Sequence, residues 1–311
     1  MRFTNMKGNF RRPQTTKVMK WLLGLYDEKR PKSPSTDVPV PFVFNDGKAL
    51  RGATLDTLTW IGQASFLVQL GGKSVLIDPV LSMSLGWIKR NGPPGLDWPA
   101  LPKIDVVLIT HDHRDHMDAP TLRKLGPDPL YVVPRGLGKW FHRNGMRRVV
   151  EMDWWQQETI EGLQITFVPA EHWSRRGLTD LNASWWGGYV IEHDGMRMYH
   201  SGDTGWFDGF SKIRERCGRI DAAMLPIGAY APRWFMQPQH IDPEEAVRAF
   251  LLLEAEYFIA MHWGTFKLSD EPLDEPPLLL RDAWKRANLP DERLVIPAIG
   301  ETLLLDRFRS E

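Results

Sequence analysis

The chain has a single cysteine, Cys217, among its 311 residues. No intramolecular disulfide can form, so packing alone must hold the fold, as suits a reducing compartment. Net charge is also missing: 39 Lys and Arg balance 39 Asp and Glu. That removes the bulk attraction expected of a protein that binds nucleic acid. No stretch approaches the ~20 consecutive apolar residues of a membrane span. The apolar patch Val18–Tyr26 falls far short of it and lacks the small-residue cleavage site of a secretory signal. There is no internal repeat and no low-complexity tract. These absences predict a cytoplasmic protein with no signal peptide or transmembrane segment. The 42% apolar and 25% charged content is ordinary for a globular chain, and the length suits one sizeable α/β domain or two small ones. Cys217 follows a helix predicted over Phe207–Arg216 and reads as a packing residue rather than a nucleophile.

What the chain does have begins with an asymmetry of charge. Residues 1–32 hold nine basic side chains (Arg2, Lys7, Arg11, Arg12, Lys17, Lys20, Lys29, Arg30 and Lys32) against Asp27 and Glu28, a local charge of +7. Two readings stay open. The segment is a helix packed on the main domain with solvated charges, or a Trp-bearing basic element lying on an anionic lipid surface. Pro31–Ser35 and Pro39–Pro41 read as an extended linker, so residues 1–50 are expected to pack on or next to a core formed by 51–311.

From Leu55 the pattern changes to short apolar runs punctuated by glycine. Strands are predicted at Thr57–Ile61, Ser65–Leu70, Ser74–Ile77, Leu130–Val133, Val149–Met152, Leu163–Pro169, Trp185–Glu192, Met196–His200, Ala222–Leu225 and Tyr257–Met261. Ser82–Pro102 reads as a long loop of the kind that often forms a lid. Helices are predicted at Ala119–Leu125 and Gly136–Asn144. Another begins at Asp242-Pro243-Glu244-Glu245, where the spacing fits a capping box and a first-turn proline; it should run to about Leu253 with Ala246, Val247, Phe250 and Leu251 facing inward.

The chemistry concentrates in Thr110–His116, which reads T-H-D-H-R-D-H directly after the apolar run Val106–Ile109. Imidazoles and carboxylates are ligands zinc accepts, and a strand end is a rigid mount for them. One turn cannot aim all four ligand-type groups at one ion, so His111 and His113 are expected to serve one metal, Asp115 and His116 a neighbour. Three more candidates each lie just past a predicted strand: His172, Asp203 and His262. Strands of one sheet deliver their ends to one rim. His172 therefore joins His111 and His113, and His262 joins Asp115 and His116. Asp203 is expected to bridge ions ~3.5–4 Å apart.

This cluster resembles that of the metallo-β-lactamase superfamily. More specifically, the chain is similar to the N-acylphosphatidylethanolamine-hydrolysing phospholipase D branch. Glu151–Trp155, Glu171–Trp173, Gly202–Gly205, Pro226–Met236, Gln239–Ala246, His262–Phe266 and Arg2–Asn5 carry that similarity over nearly the whole chain. The resemblance implies an αββα four-layer sandwich of two mixed β-sheets flanked by helices, with metals at one edge. It implies cleavage of a phospholipid substrate to N-acylethanolamine and phosphatidic acid by a peripheral membrane enzyme, with a homodimer as the expected assembly. The cofactor would be two Zn2+, with iron or manganese able to replace zinc at one position. Zinc lowers the pKa of bound water to about 7, which would make hydroxide the nucleophile and Asp115 and Asp203 catalytic. Gln239 and His240 match positions near the phosphate, and Asp78 matches a carboxylate expected to hold a ligand imidazole by its second N–H. Gln63 stands where relatives usually have histidine; glutamine neither titrates near neutrality nor binds zinc well, so it should bear on pocket shape instead. Other readings are a hydrolase of a soluble phosphodiester or lactone of the same fold, and a lipid-binding or regulatory protein whose metal is structural. A β-lactam substrate has little support, because fold does not imply function.

Overall fold

The computed structural model describes residues 2–6, 8, 15–23, 25, 39–52 and 55–309. Pro31–Ser35 of the expected linker, and Lys7, Arg11, Arg12, Asp27, Glu28, Lys29, Arg30 and Lys32 of the basic segment, lie outside the described residues. In chain order the elements are α1 (Thr15–Leu22), β1 (Thr57–Gly62), β2 (Ser65–Leu70), β3 (Lys73–Ile77), β4 (Ser84–Leu85), β5 (Ile88–Lys89), β6 (Val106–Leu108), α2 (Ala119–Leu125), β7 (Leu130–Pro134), α3 (Gly138–Arg143), β8 (Val149–Met152), β9 (Gln157–Ile160), β10 (Leu163–Val168), β11 (Gly188–His193) and β12 (Met196–His200). They continue with α4 (Gly209–Cys217), β13 (Ala222–Pro226), α5 (Arg233–Met236), α6 (Pro243–Leu253), β14 (Tyr257–Met261), α7 (Glu275–Arg286), β15 (Leu294–Val295) and β16 (Thr302–Leu304).

Two seven-stranded sheets form, in the orders β16-β1-β2-β3-β6-β7-β8 and β15-β14-β13-β12-β11-β10-β9. Each is half antiparallel and half parallel. In the first, β16, β1, β2 and β3 pair antiparallel while β3, β6, β7 and β8 pair parallel. In the second, β9 to β12 are antiparallel and β12 to β15 parallel. The inner strands of the first sheet, β1, β2, β3, β6 and β7, are buried on both faces, and the period of two sorts their side chains into two cores. Leu58, Trp60, Phe66, Val68, Val75, Ile77, Val106 and Leu108 meet Ile165, Phe167, Tyr189, Ile191 and Met198 between the sheets. The alternate residues Leu67, Leu76, Val107, Tyr131 and Val133 turn outward to Leu122 of α2 and Phe141 of α3. Phe210 and Ile213 of α4, Phe250 of α6 and Trp284 of α7 cover the second sheet. The result is the four-layer αββα sandwich.

Several boundaries differ from expectation for identifiable reasons. The strand predicted from Trp185 starts at Gly188, because Trp185 and Trp186 belong to a loop where their rings pack on Trp154. The loop Ser82–Pro102 contains the short hairpin β4–β5. The edge strands β9, β15 and β16 are too short or polar to signal themselves. Asp242 and Glu245 form both halves of the capping box. On α6, however, Leu251 is 47% exposed while Leu253 is fully buried; the inward stripe runs Ala246, Ala249, Phe250, Leu253, as three- and four-residue spacing requires. Cys217, the last residue of α4, packs half-buried on the core, and burial pushes its thiol up to about 11.

Residues ahead of the sheets are tied to them. Phe42 bridges Ile299, Val43 N donates to Ile299 O at 2.8 Å, and Leu50 is buried with the outer core. On α1, the Trp21 indole donates to Asp270 Oδ2 at 2.7 Å and its ring lies 5.3 Å from that of Phe235. The exposure of α6 gives a direct test by urea denaturation. Leu253→Ala is expected to cost about 2–5 kcal/mol and Leu251→Ala less than about 0.5 kcal/mol; the reverse order would contradict the helix register.

Candidate metal centre

Five strand ends supply the site. Asp78 follows β3, His111 follows β6, His172 follows β10, Asp203 follows β12 and His262 follows β14. The parallel pairing of β3 with β6, and of β12 through β14, sends these ends to one edge of the sandwich. Close backbone approach is needed where the two sheets meet. A Cβ on Gly202, whose φ is +59°, would lie 2.5 Å from Gly187 O and 2.9 Å from Thr110 Cβ. One on Gly228 would lie 2.2 Å from His262 O. Glycine at both places lets the ligand loops converge.

Seven sequence-predicted ligands gather into two groups. His111, His113, His172 and Asp203 form one, Asp115, His116, Asp203 and His262 the other, each with its ligand atoms within 4.8 Å of one another. In the first, His111 Nε2 lies 2.9 Å and His172 Nε2 3.2 Å from His113 Nδ1; both Nε2 atoms are 3.9 Å from Asp203 Oδ2. In the second, His116 Nε2 is 3.3 Å from His262 Nε2 and 3.1 Å from Asp203 Oδ2, and His262 Nε2 is 3.0 Å from Asp203 Oδ1. Zinc–nitrogen bonds of about 2.0–2.1 Å in a tetrahedron imply edges of roughly 3.3 Å. The donor set and these separations therefore fit a divalent cation in each group, with Asp203 common to both.

The rings are held from behind, which turns their other nitrogens toward the centre of the site. Asp78 Oδ2 accepts from His116 Nδ1 at 2.7 Å and from the Thr110 hydroxyl at 2.6 Å, and Asp78 Oδ1 accepts from Thr110 N at 2.7 Å. Because that hydroxyl donates to Asp78, it accepts from His111 Nδ1 at 3.0 Å. One buried carboxylate thus orients two imidazoles. His172 Nδ1 donates to the main-chain oxygen of Gln239 at 2.9 Å.

Without a cation the two groups differ electrostatically. Burial pushes His113 down to about 4 and His172 to about 3, and with neighbouring imidazoles holds His111 well below its ordinary value. Burial also opposes charge on His262 and His116. There the carboxylates of Asp203 and Asp115 win, raising His262 to about 9 and His116 well above the usual range. Burial disfavours the Asp203 carboxylate, yet the surrounding imidazoles keep its pKa well below normal. The imidazoles of the first group are thus favoured in their neutral form, while those of the second favour protons that a cation must displace.

Further residues face this centre. His240 is buried with its ring 5.2 Å from His172 and 5.6 Å from His262; its Nδ1 is 3.9 Å from Asp203 Oδ2 and has no hydrogen bond among the described residues. The Gln239 side-chain oxygen accepts from the Trp173 indole, and the Trp173 ring lies 4.4 Å from His113. Gln63 reaches the second group: its Nε2 is 3.1 Å from Asp115 Oδ2 and 3.0 Å from His262 Nε2. Sequence reasoning noted the glutamine but not this position. It also missed Thr110, whose only signal is that it immediately precedes His111 at a strand end, and Asn5, whose carboxamide pairs with the main chain of His172. Asp78→Asn is expected to lower cation affinity by about 10–100-fold in competition with a chromophoric chelator, most at the second group, where Asp78 holds His116 directly; unchanged affinity would contradict the orienting role.

The family described as "Beta-lactamase superfamily domain" matches residues 73–263. The chain is 38% identical over 266 residues to N-acyl-phosphatidylethanolamine-hydrolyzing phospholipase D 1 of Caenorhabditis elegans, covering 78% of this chain and 74% of that protein. It is 36% identical over 262 residues to the mitochondrial N-acyl-phosphatidylethanolamine-hydrolyzing phospholipase D of Saccharomyces cerevisiae, covering 80% of this chain but only 56% of that protein. Among solved structures, Igni18, a metallo hydrolase from Ignicoccus hospitalis, superposes with a TM-score of 0.59 at 25% identity, covering 80% of this chain and 98% of Igni18. The chain therefore belongs to the β-lactamase superfamily, within its family of N-acylphosphatidylethanolamine-hydrolysing phospholipases D, and is a metal-dependent hydrolase.

Proposed function

We propose that the chain is a di-zinc phosphodiesterase of the phospholipase D type, cleaving N-acylphosphatidylethanolamine at a membrane surface into phosphatidic acid and an N-acylethanolamine. The observation that carries this reading is the pair of ligand groups sharing Asp203, with His240 facing the space beside them. Paired cations of this kind serve in-line displacement at phosphorus, supplying Lewis acidity and a water acidified to a pKa near 7. Imidazole-rich ligand sets suit zinc, and iron or manganese could occupy the carboxylate-richer second position.

The chain's own residues do the placing. Asp203 fixes the spacing of the two groups, and Asp115 anchors the second beside His262, 3.3 Å from its Nε2. His240 Nδ1 is free to contact a phosphate oxygen. Gln239 keeps an amide N–H group at the same rim, 3.4 Å from Phe235 O, a long bond that a phosphate can replace.

A lipid substrate is supported by the surface as well as by the relatives. The loop after His172 exposes Leu178 at 91%, and the β4–β5 turn, tied by Arg90 to Phe266 beyond His262, exposes Trp87 at 93%. On and just past α1, Met19, Leu23 and Leu25 are exposed beside Lys17 and Lys20. Apolar side chains with basic neighbours are what an anionic lipid surface attracts. Trp21 meanwhile packs inward, so packing and lipid contact are compatible roles for that segment. No helix among the described residues is long and apolar enough to cross a membrane. A homodimer belongs to the same proposal and is read from the mass in solution.

Zinc-loaded protein is expected to release N-acylethanolamine from N-acylphosphatidylethanolamine vesicles, and Asp203→Asn to abolish that release without lowering the melting temperature of the metal-free protein. Hydrolysis confined to soluble diesters would reject the lipid reading, and bound metal with no hydrolysis at all would favour a regulatory role. Exchanging Trp87 and Leu178 together for serine is expected to weaken vesicle binding tenfold or more, since burial of each side chain is worth about 1.5–3 kcal/mol. Turnover of a soluble diester should change less than about twofold; vesicle binding equal to wild type would remove these loops from the lipid surface.

A further inference from the structure

The stretch Arg2–Asn5 is described by the structure, yet neither ligand chemistry nor lipid contact accounts for it. Asn5 is 5% exposed, an unusual position for a polar residue near a chain end unless its amide is fully used. Its Nδ2 donates to the main-chain oxygen of His172 at 3.0 Å, and its Oδ1 accepts from the main-chain N–H of the same residue at 3.2 Å. A second donor, the Trp186 indole, reaches that Oδ1 at 2.8 Å and is shared with Ala170 O at 3.1 Å.

This two-point pairing replaces a missing strand. His172 lies past the end of β10, outside both sheets, so its peptide groups have no ladder partner, and buried peptide groups need one. The carboxamide supplies a donor and an acceptor in the arrangement that a paired strand residue would offer. The strip carrying Asn5 is itself pinned. Phe3 N donates to Asn182 O at 2.9 Å, Asn182 Nδ2 donates to Phe3 O at 3.3 Å, and the Phe3 ring lies 4.3 Å from that of Trp185. Asn182 N in turn donates to Ser174 O at 2.7 Å, two residues beyond the ligand. The His172 ring is fixed separately by Gln239 O, which leaves Nε2 aimed at His113 and Asp203.

We propose that Asn5 is a positioning residue for the metal centre: by clamping the main chain of His172 it sets the affinity of the first cation position, making the amino-terminal strip part of the metal site. This rests on the assignment of His172 as a ligand. Its hydrogen bonds converge on one ligand of one group, so its effect should be selective between the two cations; none of its hydrogen bonds reaches Asp115, His116 or His262 of the second group.

The test is stepwise zinc binding by the full-length protein, read by chelator competition, with cobalt substitution to report each position by its absorption spectrum. Asn5→Ala is expected to weaken one of the two binding steps by about tenfold or more, the range seen when partners behind a ligand are removed, and to leave the other within about twofold. His172→Ala should weaken that same step further; if it leaves both steps intact, the ligand assignment fails, whatever Asn5 does. Trp186→Phe keeps a ring in the stack and removes only the indole donor, so it is expected to shift the same step in the same direction by a smaller factor, and it decides the question if Asn5→Ala does not fold. Wild-type affinities in Asn5→Ala, or in Trp186→Phe alone where the alanine variant is lost, would overturn the proposal. So would an equal fall in both steps accompanied by a lower melting temperature, which would make the strip a general brace.

Discussion

Three carboxylates meet at one edge of the sandwich, those of Asp78 and Asp203 buried and that of Asp115 partly so, and among the described residues their only ion-pair partners are imidazoles. Buried negative charge without compensation is very costly. Either protons on His116 and His262 or bound cations must balance it, and the remaining donor side chains are placed where a cation could be held. His111, His113 and His172 stay neutral through burial, each with a nitrogen facing inward. Asp203 stands between the groups and belongs to both.

The fold meets this constraint by division of labour. Two sheets, each half parallel, bring the ends of β3 and β6 from one side and of β10, β12 and β14 from the other to a single rim. The strands behind them are buried on both faces, so the ligand-bearing ends have little freedom to shift. Loops leaving that rim then do two further jobs. The one after His172 is laced to the amino-terminal strip, and it also carries Leu178 out to solvent. The one after His262 is bridged to the hairpin bearing Trp87. Rigidity at the base and exposure at the tip are what the proposed action on a lipid substrate requires.

The sequence made the donor side chains legible because ligand chemistry is confined to few residue types, and strand ends mark where such types collect. The αββα architecture was implied by the family likeness, while the succession of short apolar runs placed most of its strands. What could not be read were partners acting through the main chain. Gln239 suggested a substrate contact, whereas the structure also gives its peptide oxygen the task of holding the His172 ring; any residue could supply that oxygen. Asn5 lies 167 residues from His172, and nothing local to it indicates a partner. Leu251 and Leu253 differ only in which side of α6 meets the second sheet, a choice settled by tertiary packing. The edge strands β9, β15 and β16 owe their form to neighbours rather than to their own composition.

The central claim is that two cations share Asp203. The most direct measurement is anomalous diffraction at the zinc edge from crystals of the zinc-loaded protein. Two peaks are expected about 3.5–4 Å apart, one against His111, His113 and His172, the other against Asp115, His116 and His262, with Asp203 touching both. A single peak, or two peaks of which Asp203 contacts only one, would contradict it.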